Sequence, residues 1–284
     1  MRRRLALLGL ILLAGSPQAI AQSDPLYIQF RPGAVKGALY KPDTGPAPHV
    51  AVLLTHRTSN FLSHIATREL PTRGFLVLAM NPRSDNNEAA VDFERNALDI
   101  KSGIEFLRKQ PGVTQVVLFG HSGGGPATSF YQAVAENGPS YCQGPNKLVE
   151  CLNDLAGLPR ADGLVLMDAH PGISVNALRS INPAVVNEDD PLWIDPPLDP
   201  FNPANGYSPD DNSSYSDQFR HRYFIRDNEI HYEMAASKDK DYIVIEGAAH
   251  GGTPCTACET TPGEYSNTLK NLFDYVAQWI DARF

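Results

Sequence analysis

The chain is poor in cysteine, with four in 284 residues, and it has no apolar run of the roughly 20 residues needed to span a bilayer. It has no internal repeat and no low-complexity tract, which argues against solenoids and disordered tails. Basic residues are outnumbered, 24 Lys+Arg against 32 Asp+Glu, for a formal charge of −8. That balance excludes the electrostatic footprint of a nucleic-acid binder and disfavours an anionic membrane surface as partner.

The N-terminus carries a targeting pattern. Arg2, Arg3 and Arg4 form a basic start and Leu5–Ala14 an apolar core. Ala19-Ile20-Ala21 then supplies a small-x-small cleavage site. We expect residues 1–21 to be a signal peptide and the mature chain to begin at Gln22. No cysteine follows the apolar core, so a lipid anchor is not expected. Export to a periplasm or to the medium is the expected localisation, with no stable membrane insertion. Loss of the three arginines takes the formal charge to −11.

Cys142, Cys151, Cys255 and Cys258 suit an oxidising compartment, and pairing within each local couple is the simplest of three connectivities. Cys255-Thr256-Ala257-Cys258 could also be a redox motif, though it does not follow a first strand and open a helix. A four-cysteine zinc site would need a second close pair, and Cys142 and Cys151 are nine apart.

Residues 22–284 suit one large α/β domain. Residues 26–31 and 35–41 read as a hairpin about Pro32-Gly33. Apolar, β-branched runs at 49–54, 75–80, 113–119, 162–168 and 242–246 read as buried strands. Helices are expected at 61–72, 89–109, after Gly124, at 216–237 and at 265–282. Strands alternating with helices imply a mostly parallel sheet covered on both faces. Residues 171–240 depart from that alternation, with a Pro/Asp/Asn-rich stretch over 183–211. So long a segment between core strands is expected to be a cap or lid inserted in the domain. Its acidic groups, Glu188-Asp189-Asp190 and Asp210-Asp211, lack the ligand spacing of an EF-hand loop. We expect no metal and no cofactor.

The most informative stretch is Gly120-His121-Ser122-Gly123-Gly124, between the 113–119 strand and a helical run. Strand, G-x-S-x-G, helix is a nucleophile elbow. The turn strains the serine backbone, so the residues two before and two after it must be small. The helix N-terminus then directs N–H groups at an oxyanion beside Ser122. A serine nucleophile needs a base, and His250, in the small-residue loop Gly247-Ala248-Ala249-His250-Gly251-Gly252, is best placed. His170 is the reserve. His121 has no room to swing onto Ser122. Asp168, ending the strand between them, completes the order serine, acid, histidine, with Asp195 or Asp199 of the lid segment as alternatives. The Gly123 N–H is one candidate oxyanion donor and Arg57, after the 49–54 strand, the other; its guanidinium could also meet a substrate carboxylate.

These features resemble the α/β-hydrolase superfamily over nearly all of residues 45–283. The residues that carry the likeness are Gly120-His121-Ser122-Gly123-Gly124, His56-Arg57 and Gly247-Ala248-Ala249-His250. The Gly-His-Ser-x-Gly form is closer to lipases and carboxylesterases than to the cysteine-dependent dienelactone hydrolases. The resemblance implies cleavage of a small-molecule ester without a cofactor. It departs from the family in reading His-Arg where an oxyanion turn usually reads His-Gly. It departs again in placing the acid after the sixth strand. An amidase or peptidase, a non-catalytic binding protein, and a thiol–disulfide oxidoreductase using Cys255 and Cys258 stay open as alternatives.

Overall fold

The computed structural model describes residues 24–31, 35–42, 45–144, 147, 150–170, 172, 184–187, 189–190, 192–210 and 213–284. The expected signal peptide and the Pro32-Gly33 turn lie outside these residues, as does much of 171–183.

One six-stranded sheet organises the domain. Its strands are β1 (Leu26–Gln29), β2 (Lys36–Tyr40), β3 (Val50–Thr55), β4 (Leu76–Asn81), β5 (Gln115–His121) and β6 (Gly163–Met167), in the order β1-β2-β4-β3-β5-β6. β1 and β2 are the expected antiparallel hairpin, and β2 pairs antiparallel with β4. β4, β3, β5 and β6 are mutually parallel. The continuous apolar runs of β3, β4 and β5 follow from burial on both faces.

Helices α1 (Ala66–Glu69), α2 (Phe93–Leu107), α3 (Gly124–Asn137), α4 (Asp217–Met234) and α5 (Thr268–Asp281) follow in chain order. Two apolar layers result. Ile100 and Ile104 of α2 and Tyr131 and Val134 of α3 pack on one face of the sheet with Leu53, Leu78 and Leu118. Leu70, just after α1, and Phe273, Val276 and Ile280 of α5 pack on the other with Val52, Val77 and Phe119. The α/β class and the double cover expected from sequence are thus observed.

Two expected elements are not. The 61–72 helix reduces to α1 and a 3₁₀ turn at Pro71–Arg73. The Ala66 N–H, which a longer helix would give to the Leu62 carbonyl, donates instead to His64 Nδ1 at 3.1 Å. The second correction concerns 242–246, which is not a strand. With Leu164 and Leu166 of β6, residues Tyr242, Ile243, Val244 and Ile245 line a cavity of about 1020 Å³. β propensity states only a fit to a pleated surface, and without ladder partners the run stays irregular. The 89–109 helix starts later than read, because the Asp92 carboxylate caps α2 by accepting the N–H groups of Glu94 and Arg95.

The cysteines pair as Cys142–Cys151 and Cys255–Cys258, with Cα separations of 6.1 and 5.3 Å. The four-cysteine zinc reading falls, since all four sulfurs are in disulfides. Among the described residues no helix is long and apolar enough to cross a membrane.

Candidate active site

Register brings three strand ends to one rim. Thr55 of β3 lies opposite Gly120 of β5, and Gly120 and His121 lie opposite Leu166 and Met167 of β6. The next residues, His56, Ser122 and Asp168, therefore leave the sheet side by side. β3 connects to β4 on one side, and the chain then crosses to β5 on the other. The rim between β3 and β5 is the topological switch point where open α/β sheets bind ligands.

Ser122 has φ of +53° between β5 and α3, its N–H donating to Met167 O at 3.1 Å and its carbonyl accepting from Gly125 at 3.0 Å. A non-glycine residue in this region is strained. The glycines that flank it make the turn possible. A Cβ on Gly120 would lie 2.4 Å from Thr128 Oγ1, and one on Gly124 would lie 2.3 Å from the Thr55 carbonyl. The second clash is with backbone of a central strand and cannot be relieved by a rotamer. Gly124→Ala is therefore expected to destabilise the fold by about 1–3 kcal/mol, read as a lowered melting temperature, along with a loss of activity.

Asp168 shares the strain, at φ +44°. Together with Asn86 these are the positive-φ residues other than glycine among those described, and two of the three sit at this rim. The Asp168 carboxylate Oδ2 bonds His250 Nδ1 in a very short contact between half-exposed side chains. Of the sequence candidates, then, Asp168 and His250 are brought into contact. The loop that presents His250 is closed on itself, with Ala249 N–H on Thr253 O at 2.7 Å and Cys255 N–H on Gly247 O at 2.8 Å. The Cys255–Cys258 disulfide lies at the foot of that loop. No hydrogen bond joins Ser122 Oγ to His250 among the described residues. Such bonds often tighten only in the substrate complex.

Strand, strained serine turn and helix, with an aspartate on the next strand end and a histidine loop beyond it, is a specific arrangement. The sheet order β1-β2-β4-β3-β5-β6 and this rim have the layout of an α/β-hydrolase fold. Solved structures similar to it include esterase Est2 of the planctomycete Thermogutta terrifontis with propionate bound, at 20% identity and TM-score 0.36 over 54% of this chain and 56% of that one. Another is brefeldin A esterase, described as a bacterial homologue of human hormone-sensitive lipase, at 15% and 0.34 over 43% and 38%. The acylaminoacyl peptidase of Pyrococcus horikoshii matches at 23% and 0.33 over 40% and 21%. The chain thus spans from a fifth to just over half of those structures' length. No protein-family model matches it, and no curated protein does.

At this rim Arg57 and His56 crowd the residue after the serine. A Cβ on Gly123 would meet Arg57 Nη1 at 1.9 Å and His56 Nε2 at 2.6 Å. The guanidinium is held there by Glu88 Oε2, which accepts from Nε at 2.9 Å, and by His170 Nε2, 2.7 Å from Nη1. The Arg57 carbonyl accepts from Ser84 Oγ and Asn96 Nδ2. The ion pair with Arg57 holds the Glu88 carboxyl below its usual range. His170, the reserve base, is thus turned to Arg57.

Sequence reading missed His64, an isolated histidine in a turn with nothing around it to mark it. Its ring faces His121, with Nε2 2.9 Å from His121 Nδ1, and the His121 ring lies 4.5 Å from that of His250. Burial, with neighbouring cations and imidazoles adding to it, pushes His56 and His121 down to about 4 and His64 to about 3. All three are neutral at physiological pH.

Two described clusters put three donor atoms together. Glu94, Cys142 and Cys151 offer no thiolate, because the sulfurs are bonded to each other. His121, Asp168 and His250 bring theirs within 4.8 Å, yet Asp168 and His250 are already bonded as an acid–base pair. The 171–240 segment is described only in part. Trp193 and Phe201, aromatics of that segment, are exposed, whereas Phe219 of α4 is buried.

Proposed function

We propose that the chain is an exported serine hydrolase that cleaves a carboxylic ester of a small molecule through an acyl-enzyme on Ser122. The observation that carries this reading is the strained Ser122 turn beside the bonded Asp168–His250 pair. With Nδ1 on Asp168, His250 keeps Nε2 for the serine proton. Ser122 Oγ attacks the carbonyl carbon as Nε2 takes that proton. The C–O bond then breaks and the alcohol departs with the proton returned by His250. Water next attacks the acyl-enzyme, giving its proton to Nε2, and the acid leaves as the proton returns to Ser122. Gly123 N–H and Arg57, whose Nη1 lies over Gly123, hold the developing oxyanion.

Residues 171–240 act in this reading as the lid, and the disulfides suit the oxidising compartment that export implies. The ester is preferred to an amide by analogy with the fold, which hosts both chemistries. Matched ester and amide substrates separate the two.

Fluorophosphonate labelling of the mature protein, with the adduct located by peptide mass spectrometry, tests the mechanism. We expect one adduct, on Ser122, lost in His250→Ala. A folded protein that takes no label would be a binding protein on a hydrolase scaffold. Activity lost on Cys255→Ser but kept in Ser122→Ala would mark a thiol–disulfide oxidoreductase.

A further inference from the structure

A buried proton beside the acid–base pair has no partner. His64 Nδ1 accepts the Ala66 N–H at 3.1 Å, so in the neutral ring the proton must be on Nε2. That Nε2–H faces His121 Nδ1 at 2.9 Å, which makes Nδ1 the acceptor. His121, also neutral, then carries its own proton on Nε2. This atom is buried, and no hydrogen bond satisfies it among the described residues. Two hydrogen bonds, starting from one backbone amide, thus fix a tautomer at the centre of the site. A buried donor left unmet is costly, and each such group calls for an explanation.

The groups that face His121 are His64, His56, His250 and Asp168. His64 is itself the donor to Nδ1. His56 Nδ1 is taken by the N–H groups of Thr58 and Ser59. Asp168 bonds His250 through Oδ2 alone, so its Oδ1 stays open among the described residues. One donor atom from each of His121, Asp168 and His250 lies within 4.8 Å of the others. We propose that His121 is a positioning residue: its Nε2–H, directed by His64, donates to the open carboxylate oxygen of Asp168 as the site tightens around substrate. The proposal rests on reading Asp168 and His250 as acid and base. It gives the variable residue of G-x-S-x-G a task that the elbow geometry alone does not require.

Two measurements test it. Long-range ¹H–¹⁵N correlation spectra of the full-length protein report histidine tautomers directly. His64 and His121 should both show Nε2–H between pH 6 and 8, and an Nδ1–H tautomer at His121 would overturn the proposal whatever the enzyme does. In kinetics, His121→Phe should lower kcat roughly 10–100-fold with KM little changed, the loss of one charge-assisted hydrogen bond. Without that donor Asp168 presents more of its charge to His250 and favours the imidazolium. The acid limb of kcat, which reports the enzyme–substrate complex, should therefore move to higher pH by about half a unit. His121→Gln, whose amide nitrogen reaches where Nε2 stands, should restore the limb. His64→Ala, which frees the tautomer, should move it the same way in the wild type and not at all in His121→Phe. A folded His121→Phe with an unmoved acid limb would leave His121 a packing residue. Absence of a Ser122 adduct in the wild type would instead remove the hydrolase reading, leaving the tautomers as measured.

Discussion

Ser122→Ala is expected to abolish fluorophosphonate labelling and to cut ester turnover by about 10⁶, the effect of removing a triad nucleophile. Its fold should be retained, since alanine fits wherever serine does. Ser122→Gly separates chemistry from backbone. It is equally inactive, but the serine at φ +53° holds strain of about 1–2 kcal/mol that glycine does not feel. Glycine's greater freedom in the unfolded chain returns part of that gain. The net expectation is a variant more stable than wild type by up to about 1 kcal/mol, a melting-temperature rise of about 2–4 °C. Lost activity with raised stability is the signature of strain held for function. A Ser122→Gly protein that melts below wild type would mean that the turn is not strained as its φ implies.

The parts of this molecule visible in the sequence are those in which a local pattern has one physical cause. β3, β4 and β5 are legible because strands buried on both faces must be apolar throughout. The elbow is legible because Gly120 and Gly124 meet Thr128 and the Thr55 carbonyl so closely that no other residue fits. Asp168 could be placed because a parallel register carries each strand end to the same rim. What failed depends on partners distant in sequence. Tyr242–Glu246 has the composition of a strand, and no composition reveals that Tyr242–Ile245 lines a cavity instead of pairing. The 61–72 helix is curtailed by the ring of His64, which takes the Ala66 N–H and which nothing in the sequence marks as a breaker. The His64–His121 contact joins residues 57 apart, and nothing near either one signals the other. Arg57 was chosen for its place in a turn. Its guanidinium over Gly123 is set by Glu88 and His170, which arrive from two other loops.

Asp168→Asn is the variant that decides which carboxylate completes the triad. Asparagine keeps the size of aspartate and tolerates a left-handed backbone, so φ +44° is no obstacle to folding. What changes is the group facing His250 Nδ1. In the proposed mechanism a carboxylate holds the proton on Nδ1 and stabilises the imidazolium that forms as Ser122 attacks. An amide can present its N–H instead, which drives the proton to Nε2 and leaves no base for the serine. The expected fall in kcat is about 10⁴ with KM little altered. Neither rival acid is bonded to His250 among the described residues: Asp199 Oδ1 accepts the Phe201 N–H at 2.9 Å, and His250 Nδ1 is already on Asp168. Asp195→Asn and Asp199→Asn should therefore leave kcat within a few-fold of wild type. Should either of them lose activity by the factor expected at Asp168, while Asp168→Asn stays active, the acid would come from the 171–240 segment. His250 would then have to leave the partner it holds here, and that segment would be part of the catalytic apparatus, not a cover for it.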